Sequence, residues 1–193
     1  MNKILSGFRS SAATERLIDT WLSLPREAGA LCPKKSAFSP TSLGKHLNQV
    51  VLFEHLGPRE IMIRVIGTGI QGYLHEKMTG KNLFDLLPPE HVMAYSHYYK
   101  NLRELPCAGS TERPLRGKNG TVFLACTVHL PLTDEEGNVR YYLGMTQASP
   151  IPKHFTDYRS VGITAANNLS ISYSDIGAGI PEEETYYITR AAI

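Results

Sequence analysis

The segment Lys118-Asn119-Gly120-Thr121 constrains this chain more than any other. Asn-Gly supplies the positive φ angles of a tight hairpin turn, so it must join two antiparallel strands. Residues 110–117 form the first strand. On the return strand Val122, Leu124, Cys126 and Val128 alternate with Phe123, Ala125, Thr127 and His129. A second turn, Asp134-Glu135-Glu136-Gly137-Asn138, leads to a third strand. There Val139, Tyr141, Leu143 and Met145 alternate with Arg140, Tyr142, Gly144 and Thr146. Period-2 alternation is the mark of a strand covered on at least one face.

Two more strands lie upstream. Val50-Val51-Leu52-Phe53 is β-branched and aromatic. Gly57-Pro58 turns the chain, and Ile61, Ile63 and Val65 then alternate with Met62 and Arg64. Between the two β regions the period changes. Pro88-Pro89-Glu90 opens a helix to about Leu105, with His91, Val92, Tyr95, Tyr98, Tyr99 and Leu102 on one face. Met93, His97, Lys100 and Glu104 share the other. Near the N-terminus Leu17, Ile18, Trp21 and Leu22 predict an amphipathic helix over 11–24, capped by Ser10 or Ser11 and ended by Pro25. Its apolar stripe covers either this chain's own sheet or a second copy. Ser39-Pro40 starts a short helix to about His46 that buries Leu43 and Leu47.

The fold class that follows is α+β: a five-stranded antiparallel sheet with helices on one face, plus the N-terminal amphipathic helix. Three regions are expected: an N-terminal helix and connection over 1–38, a domain over 39–148, and a tail over 149–193, where Leu169 to Tyr173 can add a short strand. The chain has 193 residues. That length buries about 70% of the unfolded surface and needs no cross-links.

The charges exclude some functions. Twenty basic and 18 acidic residues leave a net charge of +2, without the basic face of a nucleic-acid binder. No run approaches the roughly 20 apolar residues of a membrane span. No secretory signal is evident, so the expected location is cytoplasmic. The cysteines Cys32, Cys107 and Cys126 form no CxxC pair and read as free thiols.

The order β-β-α-α-α-β-β-β resembles the PAS fold. Arg64-Val65-Ile66-Gly67-Thr68 and Met78-Thr79-Gly80-Lys81-Asn82-Leu83-Phe84-Asp85-Leu86-Leu87 resemble a small proteobacterial PAS family, in which a strand ends in Gly-Thr and a T-G-(K/R)-x-L-x-D-L segment follows a short helix. The likeness covers about 11–148. Gly72-Tyr73-Leu74-His75 departs from it, since the family often has an aromatic followed by Gly there. The resemblance implies a sensory module rather than an enzyme. Such a module binds a small ligand or cofactor between sheet and helices, and signals through dimerisation or a protein partner. A homodimer through the N-terminal helix is the expected assembly. The alternative is a cofactor-free adaptor with a solid core.

The expected pocket is lined by Ile63, Phe84, His91, Tyr95, Tyr99, Leu124, Cys126 and Tyr142, all of which also read as plain core. Haem is the first cofactor to consider, because haem-binding relatives draw the iron ligand from the long helix, where His91 sits. The bland alternative is a histidine satisfied by hydrogen bonds. His97 and His75 rank below it. Flavin ranks below haem, since no Asn-Cys-Arg segment occurs. Asp175-Ile176-Gly177-Ala178-Gly179 imitates an ATPase box, but the 43 residues of 151–193 are too few to build such a domain around it.

Overall fold

The structure is a computed structural model that describes residues 5–74, 76–118, 120–149 and 169–182. His75, Asn119 and the tail segments 150–168 and 183–193 lie outside the described residues. The elements in chain order are α1 (Ala12–Ser23), β1 (Val50–Gly57), β2 (Glu60–Ile66), α2 (Thr68–Gln71), α3 (Pro89–Glu104), β3 (Ala108–Arg116), β4 (Val122–Thr133), β5 (Val139–Ser149) and β6 (Ser170–Ser174). Short 3-10 turns occupy Ser6–Phe8, Lys35–Ala37, Pro40–Gln49 and Leu83–Leu86.

The strands form one antiparallel sheet in the order β2-β1-β5-β4-β3-β6. It has six strands rather than five. The sixth comes from the tail, where Ser170–Ser174 pairs with β3 from Ala108↔Ser174 to Glu112↔Ser170. At the β3–β4 turn Gly117 N–H donates to Thr121 O at 2.8 Å, and Gly120 takes φ +74°. Only glycine adopts that angle without strain.

Each face of the sheet has its own core. On one face α3 packs with Phe53, Ile61, Ile63, Leu83, Phe84 and Tyr142. On the other, α1 packs with Val50, Val128, Leu130, Leu132, Leu143 and Met145. The stripe Leu17, Ile18 and Trp21 is at most 1% exposed. It is therefore buried on the sheet of its own chain. The Trp21 indole N–H donates to Pro131 O at 2.9 Å and fixes the helix over β4. Ser11 starts α1 through a reciprocal pair: its hydroxyl accepts from Thr14 N–H, and Thr14 Oγ1 accepts from Ser11 N–H.

Two local expectations change. Pro40–Gln49 is a 3-10 segment broken at Gly44 (φ 53°, ψ −130°), so Leu43 is buried while Leu47 turns outward at 39% exposure. Ser39 places its hydroxyl 2.9 Å from Thr41 Oγ1 and does not cap the turn. In β2 the register skips Arg64, pairing Leu52 with Val65 but Phe53 with Ile63. A bulge of this kind moves the inward position by one residue. Val65 is thus exposed, and Ile66 packs on the α3 core in its place.

Candidate functional site

The long helix α3 begins at Pro89, whose fixed φ suits the first turn. Glu90 lies at its N-terminal end and Arg103 at its C-terminal end, each matching the helix dipole. Spacings of three and four residues put His91, Ala94, Tyr95, Tyr98, Tyr99 and Leu102 on the buried face. Three tyrosines and a histidine therefore meet the sheet along one line.

The sheet answers with His129 on β4, Tyr142 on β5, Phe53 and His55 on β1, and Tyr173 on β6. Tyr98 Oη lies 2.8 Å from His129 Nδ1, and Tyr99 Oη lies 3.4 Å from Nε2. A neutral imidazole has one N–H and one acceptor. One tyrosine must therefore donate to His129 while the other accepts from it. Burial pushes the His129 imidazole down to about 3, and it pushes both tyrosine hydroxyls well above their ordinary value. All three groups are held neutral at physiological pH.

A second pair lies beside the first. Tyr142 Oη donates to Tyr99 O at 3.3 Å and sits 2.9 Å from His55 Nδ1. A phenol has one proton, so Tyr142 accepts from His55 and the His55 proton is assigned to Nδ1. Desolvation, aided by the Arg103 charge, lowers His55 to about 4. Phe53 lies over His129 at 5.4 Å between ring centres, and Tyr99 and Tyr142 are 5.1 Å apart. Tyr98 meets Tyr173 at 5.7 Å, while Asn101 donates to the Tyr173 hydroxyl at 3.2 Å. These contacts tie the tail strand to α3.

Of the residues singled out from the sequence, Ile63, Phe84, Tyr95, Tyr99 and Tyr142 come together in this layer. His91 joins them at the head of α3, 6.4 Å from Tyr95. Leu124 and Cys126 do not. Cys126 pairs across the sheet with Gln147, whose amide bonds Ser11 at the start of α1. The even positions of β4 thus face α1, and the odd positions, His129 among them, face α3. Cys126 has its thiol pushed up to about 12 by burial and by the neighbouring Glu112. His129 and His55 are the residues that sequence reasoning missed. For His129 the available signal was the polar set Thr127, His129 and Thr133, three of the six odd positions of β4; for His55 on β1 there was none.

His91 is 1% exposed. The layer next to it is filled by the rings of Tyr95, Tyr98 and Tyr99, with centres 5.2–6.3 Å apart. These side chains leave no porphyrin-sized slot there, so the residues present do not fit a haem in this arrangement. Among the described residues, no group of three or more His, Cys, Asp or Glu side chains could hold a metal ion. The Asp175 carboxylate accepts from Gly177 N–H at 2.6 Å and Gly179 N–H at 2.8 Å. It closes its own turn, as Asp commonly does. No described helix is long and apolar enough to cross a membrane.

A PAS domain family model matches residues 9–147, which is most of the chain and includes α1. This chain belongs to the PAS family. No curated protein matches it. Several solved structures are similar to part of it. A light-oxygen-voltage domain studied with a flavin analogue is 22% identical, with 58% of this chain and 83% of that chain covered and a TM-score of 0.41. The light-state LOV domain of the blue-light photoreceptor Aureochrome1 is 20% identical over 59% and 87%, with a TM-score of 0.41. VqmA bound to DPO is 13% identical over 57% of each chain, also at 0.41.

Proposed function

We propose that this PAS protein is a sensory signalling domain, without catalytic activity, whose sensing element is the tyrosine–histidine layer between α3 and the sheet. The observation that carries this reading is His129, buried and neutral between the hydroxyls of Tyr98 and Tyr99. Convergent polar groups in an otherwise apolar interior are what small-ligand sites are built from. Tyr98, Tyr99 and His129 are all held neutral by burial, so the matching ligand is small, uncharged and able to exchange hydrogen bonds with a phenol or an imidazole. Binding would redirect the Tyr98–His129–Tyr99 hydrogen bonds and shift α3 and β6, which Tyr98 and Tyr173 connect. The signal then passes to a protein partner or a second copy. Because the apolar stripe of α1 is used on its own sheet, a homodimer through this helix would have to use its exposed side, which carries Glu15, Arg16 and Asp19.

A second reading, a cofactor-free adaptor, is favoured by a separate observation. The rings of Tyr95, Tyr98, Tyr99, Tyr142 and Phe53 touch one another and fill the layer with the chain's own side chains. A visible absorption spectrum, before and after added haemin, combined with thermal shifts against a library of small neutral molecules, separates the readings. A saturable shift that disappears in Tyr98→Phe supports the sensor. A Soret band lost in His91→Ala would make the ligand a haem. No shift and no band with any addition would favour the adaptor.

A further inference from the structure

A hollow of about 530 Å3 opens between the connection that follows α1 and the β4–β5 turn. That volume falls within the usual range of small-ligand sites, about 300–1,000 Å3. Leu31, Cys32, Pro106 and Val139 give it apolar walls, Arg26 and Lys34 are its cations, and Glu27 is its carboxylate. The two cations differ in one respect. Lys34 bonds Glu27 at 2.8 Å and lies 3.6 Å from Glu135, so its charge is matched. Arg26 is bonded only to neutral carbonyls. Its Nε donates to Leu31 O, its Nη1 to Leu22 O and Leu24 O, and its Nη2 to Trp21 O. No carboxylate pairs with it among the described residues. Guanidinium has five N–H donors, so one of them is not used by these bonds. The half-buried guanidinium lies over the Trp21 ring, 4.5 Å from its centre.

An apolar hollow with one unmatched, partly desolvated cation selects for the complementary anion, because a charged hydrogen bond is strongest where water is excluded. We propose that this hollow binds a small amphipathic carboxylate, with its apolar body against Leu31, Cys32 and Val139 and its carboxylate at Arg26. None of its lining residues belongs to the Tyr98–His129–Tyr99 cluster, and the proposal does not rest on the reading of that layer, although Cys32 and Val139 share the α3-side core with Tyr142. Its position beside the C-terminal end of α1 would let occupancy stiffen the link between α1 and the core through Cys32 and Val139.

The chain has a single tryptophan, and Arg26 sits on it. Trp21 emission is therefore the probe for an anion arriving at Arg26. The experiment titrates the full chain with sodium octanoate, with 1-octanol as the uncharged control, and reads Trp21 emission and heat by calorimetry. The expected result is a saturable change with octanoate at least about tenfold tighter than with octanol, the factor that loss of a charged hydrogen bond implies. Arg26→Gln should remove that preference. Ala30→Phe, which fills the hollow from its exposed rim and leaves the arginine in place, should weaken binding about tenfold or more by the same measure. No saturable change at millimolar octanoate, equal binding of octanol, or unchanged affinity in a folded Ala30→Phe variant would overturn the proposal.

Discussion

The Tyr98 hydroxyl stands 2.8 Å from Nδ1 of His129, bridging the middle of α3 to the middle of β4 in a fully buried position. This bond joins the helix layer to the sheet with polar groups at a place where most domains use hydrocarbon. Its removal leaves an imidazole nitrogen without that partner, and an unsatisfied buried polar group costs about 1–3 kcal/mol. Tyr98→Phe is expected to destabilise the protein by that amount in urea unfolding. A double-mutant cycle with His129→Phe should show coupling of about 0.5–3 kcal/mol. Additive effects would show that the two side chains do not act as a pair.

Gly109 on β3 allows that tyrosine to lie where it does. A Cβ at Gly109 would come within 2.7–2.8 Å of the Tyr98 ring carbons Cε2 and Cζ. Gly109→Ala must push the ring off its position over the sheet. The expected cost is about 1–3 kcal/mol, the usual range for overpacking. The change should be largely absent when Gly109→Ala is made in a Tyr98→Ala background, as thermal unfolding of the two pairs would show.

Stability should fall as the solution is acidified from neutral pH. His129 is held at about 3 and His55 at about 4, both below the usual histidine value of about 6.5. Between those values the unfolded chain binds protons that the folded chain does not, so stability is complete above about pH 6.5 and is lost as pH falls toward 4 and below. His129 alone contributes a slope of about 1.4 kcal/mol per pH unit in that window. Unfolding midpoints of the native chain and of His129→Phe, measured from pH 7 downward, should diverge at neutral pH and converge in acid. Parallel curves would contradict the neutral, buried state of His129.

Trp21 anchors the opposite face. It is 1% exposed, and its indole N–H reaches Pro131 O at 2.9 Å. Trp21→Ala removes a large buried side chain and a hydrogen bond, for an expected loss of about 3–5 kcal/mol. Glu15→Ala, on the exposed side of the same helix, should change stability by no more than about 0.5 kcal/mol. Denaturant midpoints for the two variants check this.

Much of the architecture is legible in the chain. Hairpin chemistry at Gly120, alternation in β4 and β5, and the apolar stripe of α1 all correspond to observed elements. The strand at Ser170–Ser174 was visible as a short β-prone run, although its place at the edge beside β3 was not. The candidate site was half legible. The α3 face is set by helical period, so Tyr95 and Tyr99 follow from spacing. The sheet half depends on which side of β4 faces α3, and period-2 alternation cannot say. Val128 and its even neighbours are the more apolar set, which made them the natural choice for the interior. Both faces of this sheet are covered, however, and the more apolar set meets α1. The layer under α3 is the polar-aromatic one, and so Leu124 and Cys126 lie away from it while His129 lies within it.

The central claim is that this layer takes a small neutral ligand. Native mass spectrometry of the intact chain, purified without denaturation and compared with Tyr98→Phe and His129→Phe, tests it most directly. The account predicts a small-molecule adduct on the native protein that is depleted in both variants while their folded charge-state distributions are kept. The bare protein mass in all three samples, unchanged after incubation with a neutral metabolite extract, would contradict it.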